Sequence, residues 1–85
     1  MQNTFRLPIA SVGETHFDGP AVSATFPGMA GEFTVLAHHE PLVTTLKDGT
    51  VIIRLPREES GKNAKEFSIE NGILECSNNR VTVLL

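Results

Sequence analysis

Apolar residues in this chain alternate with polar ones instead of recurring every three or four positions. Phe5, Leu7 and Ile9 fall on one side of an extended segment. The same spacing recurs in the segments 22–26, 51–55, 67–69 and 81–85. A period of two is typical of strands with one buried face, because successive side chains point to opposite sides of a sheet. No segment carries a comparable helical stripe.

Turn-forming residues separate these runs at short intervals. Asp48-Gly49 and Asn71-Gly72 predict type I′ hairpin turns, because both dipeptides tolerate the positive φ angles that such turns need. Residues 77–79 predict a further turn, and the segments 18–20 and 27–28 predict two corners. The sequence therefore predicts an all-β domain: a flattened antiparallel β-sandwich or barrel of about eight to ten short strands.

The chain is short and slightly acidic. With 85 residues and a net charge of -3, it is expected to form one domain over residues 1–85, with a polar hairpin tip at 58–63. The charge argues against a nucleic-acid surface, which needs a basic stripe. No apolar run approaches the roughly 20 residues of a bilayer span, which predicts no direct membrane insertion. A deep cavity for a small-molecule substrate would compete with so small a core.

The residues that could carry chemistry do not form a recognisable catalytic site. His38-His39-Glu40 is a poor metal site, because adjacent side chains in an extended segment point to opposite faces. The segment 28–31 has the glycines of a phosphate loop but lacks its Lys and helix, and is interpreted as a tight corner. Cys76 is interpreted as a small apolar residue of the core or of a sheet edge rather than a reactive thiol. We therefore predict no catalytic, metal or cofactor site, and a function in binding.

The central segment carries an ordered set of residues that resembles the N-terminal β-sandwich domain of the epsilon subunit of F-type ATP synthases, which is called delta in mitochondria. The positions that match in register are Pro27, Gly28, Gly31, Glu32, His39, Pro41, Leu42, Thr44, Lys47 and Gly49. The Val-Thr-Val-Leu ending at 81–84 and the opening at 5–11 also match. The family's Pro-Gly-His is replaced by Ala37-His38-His39.

The resemblance implies a non-catalytic rotor subunit in the central stalk of a proton-translocating ATP synthase. It would link the gamma subunit to the membrane c-ring, as a peripheral protein on the cytoplasmic face of the energy-transducing inner membrane. The c-ring side would carry Gly31, Glu32 and Phe33. The gamma side would carry Ser11, His39, Pro41, Leu42 and Thr44.

The length of the chain and the cluster of two histidines with Glu40 leave other interpretations open. Family members usually continue into an inhibitory helical hairpin, so a chain ending at Leu85 is expected to be a short form without those helices, either a naturally short subunit or a trimmed piece of a longer one. A free-standing β-sandwich adaptor remains an alternative, and so does a small hydrolase or metal enzyme that uses His38, His39 and Glu40. The adaptor would not copurify with gamma, and the metal enzyme would lose turnover with a chelator.

Overall fold

The computed structural model describes residues 3–56 and 64–85. The predicted hairpin tip at 58–63 lies outside the described residues. Within these ranges there are nine strands, in agreement with the eight to ten predicted. Their bounds are β1 Phe5–Ser11, β2 Glu14–Ala21, β3 Ser23–Gly28, β4 Gly31–Leu36, β5 Leu42–Leu46, β6 Gly49–Arg54, β7 Ala64–Ile69, β8 Gly72–Ser77 and β9 Arg80–Leu84. The all-β fold class is confirmed.

The strands form one curled sheet that divides into two layers. One layer has the strand order β2-β1-β9-β8-β5, and the other has β4-β3-β6-β7. The layers join where Gly28 of β3 pairs with Leu46 of β5, and the Lys47 N–H donates to the Pro27 carbonyl at 2.9 Å beside that pair. Inward-facing side chains of the two layers meet in a shared core, as in other β-sandwiches.

The shared core follows the period of two closely. Leu7, Ile9, Ile53 and Val83 are fully buried, and Phe5 is 2% exposed. The other members of the buried cluster are Ala21, Ala24, Phe26, Val35, Leu46, Val51, Ile69, Leu74, Cys76 and Val81. The predicted core role of Cys76 is therefore confirmed.

One strand pair departs from the predicted antiparallel arrangement. β1 and β9 run parallel, with Ile9 beside Val83 and Ala10 beside Leu84. A parallel pair requires a long connection between its strands, and here nearly the whole chain forms that connection. The alternating pattern carries no information on strand direction, so it could not indicate this pairing.

Both predicted type I′ hairpins are wrong. Asp48-Gly49 connects β5 to β6, and Asn71-Gly72 connects β7 to β8, but neither pair of strands is hydrogen-bonded. Each connection crosses from one layer to the other, and neither Asn71 nor Gly72 has a positive φ. Among the described residues, the hairpin turn with two positive φ values is Asn78-Asn79, between β8 and β9, at 53° and 59°.

The corner predicted at 18–20 is also wrong, because these residues lie inside β2. β2 is an edge strand of its layer, and an edge strand tolerates proline because one side of its backbone needs no hydrogen-bond partner. The corner predicted at 27–28 lies at the end of β3, and the chain turns at Met29-Ala30.

In the described ranges no helix is long and apolar enough to cross a membrane.

Candidate functional site

A groove opens where the two layers end side by side at β4 and β5. Within the described residues β4 pairs with β3 alone, and β5 meets the other layer through a single residue pair. The groove between them has a volume of about 350 Å³ and is lined by Phe33, Thr34, His39, Leu42 and Thr44. In this groove the inward-facing side chains of Phe33, Leu42 and Thr44 remain partly exposed to solvent.

The floor of this groove, which we call the β4–β5 groove, is apolar. Leu42 lies opposite Cys76 and Thr44 lies opposite Leu74 in the pairing of β5 with β8. Both partners are buried, so Leu42 and Thr44 point toward the same interior. They stay half-buried because no strand of the other layer covers them. Phe33 closes the opposite side, and its ring centroid lies 5.8 Å from that of Phe26.

The rim of the groove is polar. The Nδ1–H of His39 donates to the Glu40 carbonyl oxygen at 2.7 Å, which holds the imidazole along its own loop. The hydroxyls of Thr34 and Thr25 share a hydrogen bond of 2.8 Å across β4 and β3. An apolar floor with a few oriented polar groups suits an apolar side chain from a partner protein better than it suits chemical catalysis.

The structure brings together three of the five residues predicted for the gamma side: His39, Leu42 and Thr44. Pro41 adjoins them in the chain and is exposed. Ser11 lies elsewhere, at the end of β1, where its hydroxyl shares a 2.8 Å hydrogen bond with Nε2 of His16. β9 and β8 separate β1 from β5, so Ser11 does not belong to the groove.

The residues predicted for the c-ring side all lie at the start of β4, but their side chains do not share one surface. Glu32 pairs with Pro27 beside the turn and is exposed, whereas Phe33 faces the groove. Gly31 has a φ of 131°. A Cβ atom at Gly28 would lie 2.8 Å from the Gly31 carbonyl and 2.9 Å from the Phe33 ring, so glycine at 28 permits the tight hairpin.

Sequence reasoning missed two residues near these surfaces. Thr34 lines the groove, and its hydroxyl contact could be predicted only from the register that places Thr25 opposite it. Met29 stands at the tip of the β3–β4 hairpin with 64% of its surface exposed. The sequence could have indicated an exposed Met29, because this apolar residue lies in a predicted turn between Gly28 and Gly31.

The loop that carries His39 holds an unusual backbone conformation. His38 has a φ of 64°, in the left-handed region that favours glycine. The conformation places His39 beside the groove while the chain turns from β4 into β5.

Replacing His38 by glycine should stabilise the domain by about 0.5–1 kcal/mol. The left-handed conformation costs a residue with a Cβ atom about 1–2 kcal/mol, and the greater freedom of glycine in the unfolded chain offsets part of that gain. Urea denaturation measures the difference. His39→Gly is the matched control and should destabilise, because His39 has no positive φ. A His38→Gly variant less stable than the parent would contradict the expected strain.

The pKa shifts of Cys76 and Asp18 have plain local causes. Burial raises the pKa of the Cys76 thiol, whose S–H points to the His39 carbonyl at 3.8 Å. The hydrogen bond from Arg6 Nε to the Asp18 carboxylate, 2.8 Å long, lowers the pKa of that carboxyl. The thiol is thus less reactive than an exposed one, and the Arg6–Asp18 pair ties β1 to β2.

Among the described residues, no three His, Cys, Asp or Glu side chains come close enough to hold a metal ion. The set His38, His39 and Glu40 is therefore not such a group, and His39 Nδ1 is engaged with the Glu40 carbonyl. The β4–β5 groove is therefore taken as the candidate site, and its lining suits contact with a partner protein.

The comparisons with known proteins agree with this description. Residues 4–85 match the family model described as ATP synthase, Delta/Epsilon chain, beta-sandwich domain. The ATP synthase epsilon chain of Delftia acidovorans is 37% identical over 83 residues, which cover 96% of this chain and 56% of that protein. The epsilon chain of Chlorobium limicola is 35% identical over 80 residues, which cover 94% of this chain and 86% of that protein.

Two solved structures share the fold. A chain in the cryo-EM structure of the Euglena gracilis mitochondrial ATP synthase, with OSCP, F1 and c-ring, gives a TM-score of 0.82 at 23% identity, covering 99% of this chain and 51% of that one. A chain in the central stalk and c-ring of the Tetrahymena thermophila enzyme gives 0.74 at 12% identity, covering 99% and 65%. This chain spans little more than half the length of relatives such as the Delftia protein.

Proposed function

The chain belongs to the ATP synthase delta/epsilon family, and from this premise we propose that it is a non-catalytic rotor subunit of the central stalk. In this role it links the gamma subunit to the c-ring of a proton-translocating ATP synthase and couples proton flow to ATP synthesis. The observation that carries the proposal is the family match over residues 4–85. The arrangement of exposed residues on the sandwich supports it.

The physical task of such a subunit is to transmit torque without deforming. Strand pairs that are hydrogen-bonded along their length and share one packed core resist bending better than loosely connected elements do. The subunit makes and breaks no covalent bond in this role. It needs no cofactor, no nucleic acid and no small-molecule substrate. It sits peripherally on the cytoplasmic face of the energy-transducing inner membrane.

The gamma contact is assigned to the β4–β5 groove. Leu42 and Phe33 offer apolar area that is partly uncovered, and His39 and Thr34 supply polar groups at the rim. Half-buried apolar residues ringed by polar ones are where protein interfaces concentrate their binding energy. Pro41 extends this surface on the β5 side, whereas Ser11 would form a separate contact with gamma.

The c-ring contact is assigned to the β3–β4 hairpin. Glu32 presents an exposed carboxylate beside the turn, and Met29 offers exposed apolar area at its tip. The two side chains together suit a loop of the ring that carries a basic group and an apolar one.

Glu32→Lys should weaken the attachment of this hairpin to the ring by about fivefold, since a rim charge pair contributes about 1 kcal/mol. ATP-driven proton pumping in inverted membrane vesicles should fall accordingly. Glu66→Lys is the matched control, because it makes the same change in charge on the exposed face of β7. Equal pumping by the two variants would remove the role assigned to Glu32.

Affinity purification of the tagged chain from its own cells tests the proposed function. Gamma and the rest of the F1 sector are expected to copurify with it in stoichiometric amounts. Recovery of the chain alone, as a folded monomer, would overturn the rotor assignment in favour of a free-standing adaptor.

A further inference from the structure

Asn79 is the residue that ties three separate parts of the fold together at one end of the sandwich. Its side-chain Oδ1 accepts a 2.7 Å hydrogen bond from the His38 N–H. Its Nδ2 donates to the Thr4 carbonyl at 2.9 Å, and its own carbonyl accepts from the Arg6 N–H at 3.2 Å. One side chain thus joins the β8–β9 turn to the start of β1 and to the loop between β4 and β5.

The bond to His38 fixes the loop at its most strained point. His38 has a φ of 64°, a conformation that persists in a residue with a Cβ atom only when its surroundings hold it. The Asn79 side chain supplies such a restraint across 41 residues of sequence. Asn79 lies in the β8–β9 turn with a φ of 59°, and its side chain reaches the loop from there.

The loop in turn sets the top of the β4–β5 groove. His39 follows His38 directly and lines the groove with Leu42 and Phe33. The His39 carbonyl is held over Cys76, the partner of Leu42 in β8. A loop that lost the His38 bond would sample other conformations, and His39 would no longer be fixed beside Leu42.

We propose that Asn79 is a positioning residue for partner binding: its side-chain amide holds the His38–His39 loop so that the β4–β5 groove is already formed before gamma arrives. This inference rests on the proposed function, because gamma is the partner assigned to the groove. A surface ordered in advance loses less conformational freedom on binding, and therefore binds more tightly.

Three variants separate this role from a general effect on the turn. Asn79→Gly removes the side chain while allowing the positive φ. Asn79→Asp also suits the turn and keeps an oxygen that can accept from His38, but it loses the bond to Thr4. Asn78→Gly is the control, because Asn78 also has a positive φ and its side chain makes no hydrogen bond to residues that the structure describes.

Titration of purified gamma into each folded variant gives the first measurement. Asn79→Gly should bind gamma about tenfold more weakly than the parent, while Asn79→Asp should remain within about twofold of it. Asn78→Gly should bind as the parent does. Hydrogen exchange gives the second measurement: the His38 amide should exchange about tenfold faster in Asn79→Gly, with the amide of Leu74 in the core unchanged.

The possible results distinguish two failures. If the parent binds gamma and Asn79→Gly binds equally well, the positioning role is wrong and the proposed function stands. The same holds if the His38 amide is no more exposed in Asn79→Gly, or if Asn79→Asp fails to restore binding. If the folded parent does not bind gamma at all, the proposed function fails and the positioning role fails with it.

Discussion

Phe26→Ala should lower the free energy of unfolding by about 3–5 kcal/mol. Phe26 is fully buried, and its ring packs 5.8 Å from that of Phe33. The substitution removes the largest fully buried side chain, and the surrounding strands cannot close the cavity because their backbones are paired. A domain of this size has only about 4–13 kcal/mol of stability in total, so a large part of it would be lost.

Urea denaturation followed by circular dichroism measures this effect. Met29→Ala is a suitable control, because Met29 is exposed at a hairpin tip, and its loss should change stability by less than about 0.5 kcal/mol. A loss below about 1 kcal/mol for Phe26→Ala would mean that the two layers do not meet around this ring.

Leu42→Asp should weaken binding of gamma by about thirtyfold or more. A central apolar contact contributes about 2 kcal/mol to an interface, and a carboxylate placed among Phe33 and Thr44 would also have to lose its water. Isothermal titration of gamma into the purified variant measures the change. Leu42→Ala, which adds no charge, should weaken binding by about tenfold and excludes an effect of the new carboxylate alone.

Val43→Asp is the matched control for Leu42→Asp. Val43 is the next residue of β5, and it points to the opposite face of the sheet, where it is 70% exposed. The same new charge at Val43 should leave gamma binding within about twofold of the parent, provided that both variants melt as folded domains. Stronger loss at Val43 than at Leu42 would place gamma on the outer face of β5 instead of in the groove.

The alternation of apolar residues predicted five of the strands that the structure describes, β1, β3, β6, β7 and β9, and most of the core. Ile53 and Val83 are buried in the structure because a strand with one apolar face can satisfy that face only against another layer. β2 and β4 do not stand out in the sequence, because each is an edge strand and buries few of its side chains. They form because β2 pairs with β1 and β4 pairs with β3.

The pairing of the strands could not be predicted from local turn chemistry. Asn71-Gly72 has the composition of a hairpin turn, yet β7 and β8 belong to different layers. A dipeptide specifies the conformations that the chain can adopt locally, whereas burial of the two strands decides which neighbour each one pairs with. The Asn78-Asn79 turn does form a hairpin, since β8 and β9 lie side by side in one layer.

The candidate site was predictable only in part. His39, Leu42 and Thr44 were named from the family resemblance, and the fold places them on one groove. The groove itself arises because β4 and β5 end next to each other without pairing, which no local pattern encodes. Phe33 belongs to it because the register of β4 on β3 places it opposite Phe26. Glu32, one residue earlier, points to the other face of the strand.

Mixing the purified domain with its cognate gamma subunit, followed by gel filtration with light scattering, tests the central claim most directly. At micromolar concentrations the two proteins should elute together as a complex of one domain and one gamma subunit. Elution as two separate folded species at those concentrations would contradict the assignment of this chain to the central stalk.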